Sequence, residues 1–98
     1  MIYNMDDKLK FNEKPKIKIN DKITVSVNND AEDILRLMGA VAEKGELESS
    51  LDAIDILFSA EDRKKIKSLH LNLEDFSTLV FAAMALATGE DPDAEKGE

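Results

Sequence analysis

At 98 residues the chain has the length of one small domain, close to the lower end of what builds a self-sufficient core. A net charge of −8 excludes a general nucleic-acid binder, which needs a basic face. The lack of cysteine removes disulfides, thiolate metal sites and a thiol nucleophile, and aromatics at 5% with no Trp leave an aliphatic core.

The N-terminal stretch "MIYNMDDKLK" lacks the apolar core of a signal peptide, and the longest apolar run, Leu79 to Ala87, is too short for a membrane span. A soluble, cytoplasmic chain is expected, with residues 1–8 a flexible start. Charge is unevenly placed: residues 1–29 carry +2 and the remainder −10. Such halves can attract each other, join neighbouring copies, or simply be two solvated surfaces.

Leu9 and Phe11, Ile17 and Ile19, then Ile23, Val25 and Val27 are apolar at odd positions, the period of half-buried strands. Pro15 separates Phe11 from the second run. A two-residue loop at Asn20-Asp21 would put the two apolar sets on opposite faces. A three-residue loop, Asn20-Asp21-Lys22, pairs Ile19 with Ile23 and Ile17 with Val25 on one face, and this is the predicted hairpin. So small a hairpin is marginal alone and must lie on the helices that follow.

The first helix is predicted from "NNDAED", with Asn29 as N-cap and Glu32 three residues on. Ile34, Leu37, Met38 and Val41 form its apolar face, and Gly45 ends it. A short helix after Ser49 or Ser50 is expected to bury Leu51, Ile54, Leu57 and Phe58. Ser59 caps a third, largely exposed helix, with Glu61 and Asp62 at its start, "RKKIK" toward its end, and Ile66 and Leu69 to bury. "HLNL" connects it to a fourth helix, capped by Asn72, with Glu74 and Asp75 in its first turn.

That last helix, Leu73 to Thr88, is the expected central one, turning Phe76, Leu79, Val80, Ala83, Leu86 and Ala87 inward. Phe81, Met84 and Ala85 extend the apolar surface most of the way round, and Ala82 and Ala85 are small enough for another helix to approach closely. Gly89 ends the helix, and residues 90–98 read as a disordered acidic tail. The predicted fold is a single small α+β domain over 1–89, an N-terminal antiparallel β-hairpin (about 16–28) packed on a bundle of about four short helices.

Catalytic chemistry has little to stand on. His70 is the sole histidine, in a connector, without a second His or a Cys to share a metal or a nucleophile. Asp52/Asp55, Glu61/Asp62 and Glu74/Asp75 each have a structural role as helix-start charges or solvated faces. The four glycines form no phosphate loop. "DRKKIK" is one basic turn between acidic neighbours, weak support for nucleic acid. No enzyme activity, cofactor, metal, nucleic acid or membrane partner is expected. Protein contact remains, with Phe81, Met84, Ala85 and Met38 as candidate residues, because one helix cannot point every side inward in so small a domain.

The arrangement "ILFSAEDRKKIKSLHLNLEDFSTLVFAAMALATGED" resembles the tail assembly chaperones of long-tailed bacteriophages and prophages of Gram-positive hosts. The similar features are "LFSAEDRKKI", the helix start "LNLEDFSTLV" and the exit "ALATGED", about a third of the chain. The resemblance implies a non-enzymatic chaperone, acting in the host cytoplasm and left out of the mature virion. Such proteins coat the long helical tape-measure protein and keep it soluble while tail-tube subunits are recruited. In many phages a programmed frameshift yields a longer product whose extra domain serves the tube protein; this chain would look like the unshifted form. The chain could also assemble with its own copies. Two other readings stand beside it: a small acidic regulator that mimics DNA charge, and a structural tail or head-completion subunit.

Overall fold

The computed structural model describes residues 1–6 and 14–91. The strand expected around Leu9 and Phe11, part of the flexible start, and the tail from Pro92 onward lie outside the described residues. Two strands, β1 (Lys16–Lys18) and β2 (Thr24–Ser26), are followed by four helices, α1 (Ala31–Lys44), α2 (Glu46–Leu57), α3 (Ala60–Ser68) and α4 (Leu73–Ala87). The chain is thus a small α+β domain, an antiparallel hairpin followed by helices.

Period-two patterning sets the hairpin register. Ile17 pairs with Val25, and the Ile19 N–H donates to the Ile23 carbonyl at 2.9 Å across the three-residue loop. The Asn20 side chain accepts from the N–H groups of Lys22 (2.8 Å) and Ile23 (2.9 Å), an Asx turn that fixes the loop. Ile17, Ile19, Ile23, Val25 and Val27 consequently share one face, and Val25 and Val27 are fully buried. Regular strand is shorter than the 16–28 span. Pairing nevertheless continues beyond it, because the Val27 N–H donates to the Pro15 carbonyl at 2.7 Å.

Two clamps hold the hairpin to the helices. The Ser26 N–H donates to the Asp62 carboxylate at the start of α3 (3.0 Å). Asn28 donates from its backbone to the Leu57 carbonyl (2.8 Å) and from its side chain to the Ile56 carbonyl (3.1 Å) and Asp33 (2.9 Å). The N-cap of α1 moves accordingly. Asp30, not Asn29, accepts from the Asp33 N–H, and Asp30 itself donates to the Asn28 side chain at 2.9 Å. With Asn28 committed to α2, the chain leaves the strand one residue later than the capping-box spacing suggested.

α2 starts at Glu46, directly after Gly45 (φ 90°), rather than after Ser49 or Ser50. Its buried face is Ser49, Ala53, Ile54 and Leu57, with Phe58 beyond, and the Ser49 hydroxyl donates to the Gly45 carbonyl at 2.6 Å. Leu51, expected inside, is 71% exposed, because the face that packs carries Ser49, Ala53 and Leu57 and leaves Leu51 on the outer side of the helix. α2 packs on α1, α3 and α4, so it, rather than α4, is the central helix. Of the residues expected to turn inward on α4, Leu79 and Ala83 are buried, and Phe76, Val80, Leu86 and Ala87 are half-buried against the core.

Helix ends follow the sequence elsewhere. Ser59 and Asn72 cap α3 and α4 by accepting from the N–H groups of Asp62 and Asp75. At the end of α4 the Glu90 N–H donates to the Ala85 carbonyl (2.7 Å) and the Gly89 N–H to the Leu86 carbonyl (3.1 Å), with Gly89 at φ 86°. That is a Schellman ending, which needs a left-handed residue.

Candidate functional site

α4 carries two apolar stripes side by side. The first, through Phe76, Leu79 and Ala83, faces the core. The second runs Ser77, Val80, Phe81, Met84, Ala85, Thr88, the i, i+3, i+4 spacing of a single helix face. It forms one wall of a groove of about 600 Å³. Met38 and Val41 of α1 and Leu47 and Ala53 of α2 supply its other apolar lining, with Glu46, Ser49, Ser50 and Glu90 between them.

The four residues put forward from the sequence, Met38, Phe81, Met84 and Ala85, therefore border one surface, although they come from two helices remote in the chain. Their roles differ. Ala85 is buried and lies at the floor, where its small side chain leaves the groove open. Met84 is half-buried against the core. Phe81 and Met38 stand exposed on opposite sides. Leu47, 74% exposed on the α2 side, was missed by sequence reasoning. Its only signal was a lone large apolar residue among Glu46, Glu48 and Ser49, which gains a face only once the helix is known to start at Glu46.

The electrostatics of the groove are simple. Glu46 and Glu90 are its charged lining residues, and both are acids. At the nearby α1–α2 corner Lys44 donates to Asp52 at 2.9 Å. The bond to Asp52 and the field of that carboxylate hold the Lys44 ammonium above its ordinary 10.5.

A second cleft of about 580 Å³ lies between the hairpin and α3, bordered by Ser26, Asn28, Asp33 and Asp62. These groups are engaged in the clamps described above. Asp55 faces Arg63, whose guanidinium also donates to the Asp55 (3.1 Å) and Phe58 (2.7 Å) carbonyls and so closes the end of α2. His70 is exposed in the α3–α4 connector with φ 48°.

Among the described residues, no group of three or more His, Cys, Asp or Glu is placed to hold a metal ion, and no buried side-chain polar atom lacks a partner. Likewise, no described helix is long and apolar enough to cross a membrane. No family model, curated protein or solved structure matches the chain.

Proposed function

We propose that the protein is a non-enzymatic phage tail assembly chaperone, whose groove holds amphipathic helical segments of the tape-measure protein and keeps that client soluble. The observation that carries this reading is the convergence of Met38, Leu47, Phe81 and Met84 on one open groove beside α4. An apolar groove between helices takes a client helix by its i, i+3, i+4, i+7 residues. The α4 stripe from Ser77 to Thr88 is about 16 Å long at 1.5 Å per residue, room for about three turns of a client helix. Methionines suit a surface that must accept many similar segments. Glu46 and Glu90 favour a client with Lys or Arg beside its apolar stripe, and the net charge of −8 keeps the complex dispersed. The resemblance of "LFSAEDRKKI", "LNLEDFSTLV" and "ALATGED" to tail assembly chaperones supplies the identity of the client.

Co-expression with a phage tape-measure protein is the test. The client is expected in the soluble fraction with the wild-type chain and in the pellet with Phe81→Asp or Met84→Asp. A client equally insoluble with the wild-type chain would overturn the assignment. Loss of cooperative unfolding in Met84→Asp would make that side chain part of the core instead.

A further inference from the structure

Four methionines carry all the sulfur of this chain, because it has no cysteine. Two of them, Met38 and Met84, line the groove, whereas Met1 and Met5 do not. The groove pair differs in access: Met38 is 48% exposed on the α1 wall, and Met84 is half-buried against the core. We infer that Met38 is an oxidation site that switches the groove off: peroxide converts its thioether to the sulfoxide, and the client is released. This rests on the groove being the acceptor proposed above, and not on which protein supplies the client helix.

The chemistry needs only hydrogen peroxide as oxidant. The thioether sulfur gives an electron pair to one peroxide oxygen, and the S–O bond forms as the O–O bond breaks. The second oxygen leaves as water after taking the proton from the first, so sulfur is oxidised and peroxide reduced by two electrons. Attack requires access to the sulfur, which orders the pair with Met38 ahead of Met84. The product does not suit an occupied groove. A sulfoxide is a polar acceptor in place of an apolar thioether, and in the open groove water satisfies it. Under a bound helix it loses that water, and most hydroxyls lining the groove cannot replace it. Those of Ser49, Ser50 and Thr88 already donate to the carbonyls of Gly45 (2.6 Å), Glu46 (2.7 Å) and Ala85 (3.0 Å). The oxygen is then covered without a donor, which costs binding and not folding, because Met38 meets solvent in the free chain. Met84 is the contrast, since it packs on the core and its oxidation loosens the fold itself.

The test treats the full wild-type chain with hydrogen peroxide to partial conversion. The sample then passes over an immobilised synthetic helix with Leu at i, i+3, i+4 and i+7 and Lys on its flanks. Peptide mass mapping of the bound and unbound fractions reads each methionine separately. Met38 sulfoxide is expected to form before Met84 sulfoxide and to be about tenfold scarcer in the bound fraction than in the unbound. Sulfoxides at Met1 and Met5 should divide equally between the fractions. The thermal midpoint of chain oxidised at Met38 should match that of the untreated chain. Any of four results would overturn the inference: Met84 oxidised as fast as Met38, Met38 sulfoxide spread evenly, Met1 and Met5 sulfoxides excluded to the same extent, or a lowered midpoint. Retention of the untreated chain in those cases leaves the groove standing as an acceptor. An untreated chain that the helix does not retain removes the acceptor, and the inference with it.

Discussion

Asn29 and Asp30 both have side chains able to cap α1, and only their neighbours decide between them. Asn28 spends its side chain on α2 and on Asp33, which carries the chain one residue further before the first turn closes on Asp30. Asp30→Ala is therefore expected to cost about 1 kcal/mol, and Asn29→Ala less than about 0.5 kcal/mol, by urea denaturation. Equal effects would place the cap at neither residue alone. His70 shows the opposite situation, a residue whose backbone does not suit its type. It follows the end of α3 at φ 48°, with its N–H donating to the Lys67 carbonyl, the position that glycine occupies after α4. A left-handed conformation costs a residue with a Cβ about 1–2 kcal/mol, and glycine's extra freedom when unfolded returns part of that. His70→Gly should stabilise the fold by about 0.5 kcal/mol, read as a higher denaturation midpoint. Gly45 and Gly89 announced their left-handed turns in the sequence; His70 could not, because nothing in its chemistry asks for that conformation.

Where each element ends was easier to read than what it packs against. Alternation fixed the hairpin register and loop length, and the caps at Ser59 and Asn72 were legible because capping is local. α2 was misjudged because its buried face includes Ser49 and Ala53, which carry no hydrophobic signal, while Leu51 does and lies outside. Burial of Ser49 works only because its hydroxyl bonds the preceding turn, a satisfaction that residue identity does not advertise. Long-range clamps were equally invisible. Asp62 read as a helix-start charge, yet it also accepts from the Ser26 N–H, 36 residues away in sequence, and its side chain is only 14% exposed. Asp62→Ala is expected to destabilise by about 1.5–3 kcal/mol and to remove hydrogen-exchange protection at the Ser26 amide. A loss without change at Ser26 would assign Asp62 to the α3 dipole alone. The Lys44–Asp52 pair joins α1 to α2 in the same manner at the surface. Since folding raises the lysine's pKa, its contribution is complete below 10.5 and fades as pH rises through the higher folded value. From neutral pH upward, thermal midpoints of the wild-type chain and Asp52→Asn should therefore converge only in that alkaline range, and convergence near neutrality would mean the pair is not formed in solution.

For the whole molecule, the question is why a small acidic chain keeps so many large apolar side chains in water. Leu35, Leu47, Leu73 and Phe81 are 65%, 74%, 68% and 58% exposed, values too close for exposure to rank them. Their positions separate them: Leu47 and Phe81 border the groove, whereas Leu35 and Leu73 do not. The residues of the groove were legible in part, as Phe81, Met84, Ala85 and Met38, because α4 has more apolar surface than one core can use. Their convergence was not, because it depends on α1 turning at Gly45 to bring Met38 across from α4. If the groove is a specific acceptor, single Asp substitutions at these four exposed positions should divide into two pairs. Each should leave the denaturation midpoint within about 0.5 kcal/mol of wild type, as surface changes do. Leu47→Asp and Phe81→Asp should abolish rescue of the client, measured as the soluble fraction on co-expression, and Leu35→Asp and Leu73→Asp should leave it intact. Four equal losses would mean that the chain holds its client through scattered apolar contacts rather than a site. Losses confined to Leu35 and Leu73 would move the acceptor surface to the other side of the molecule.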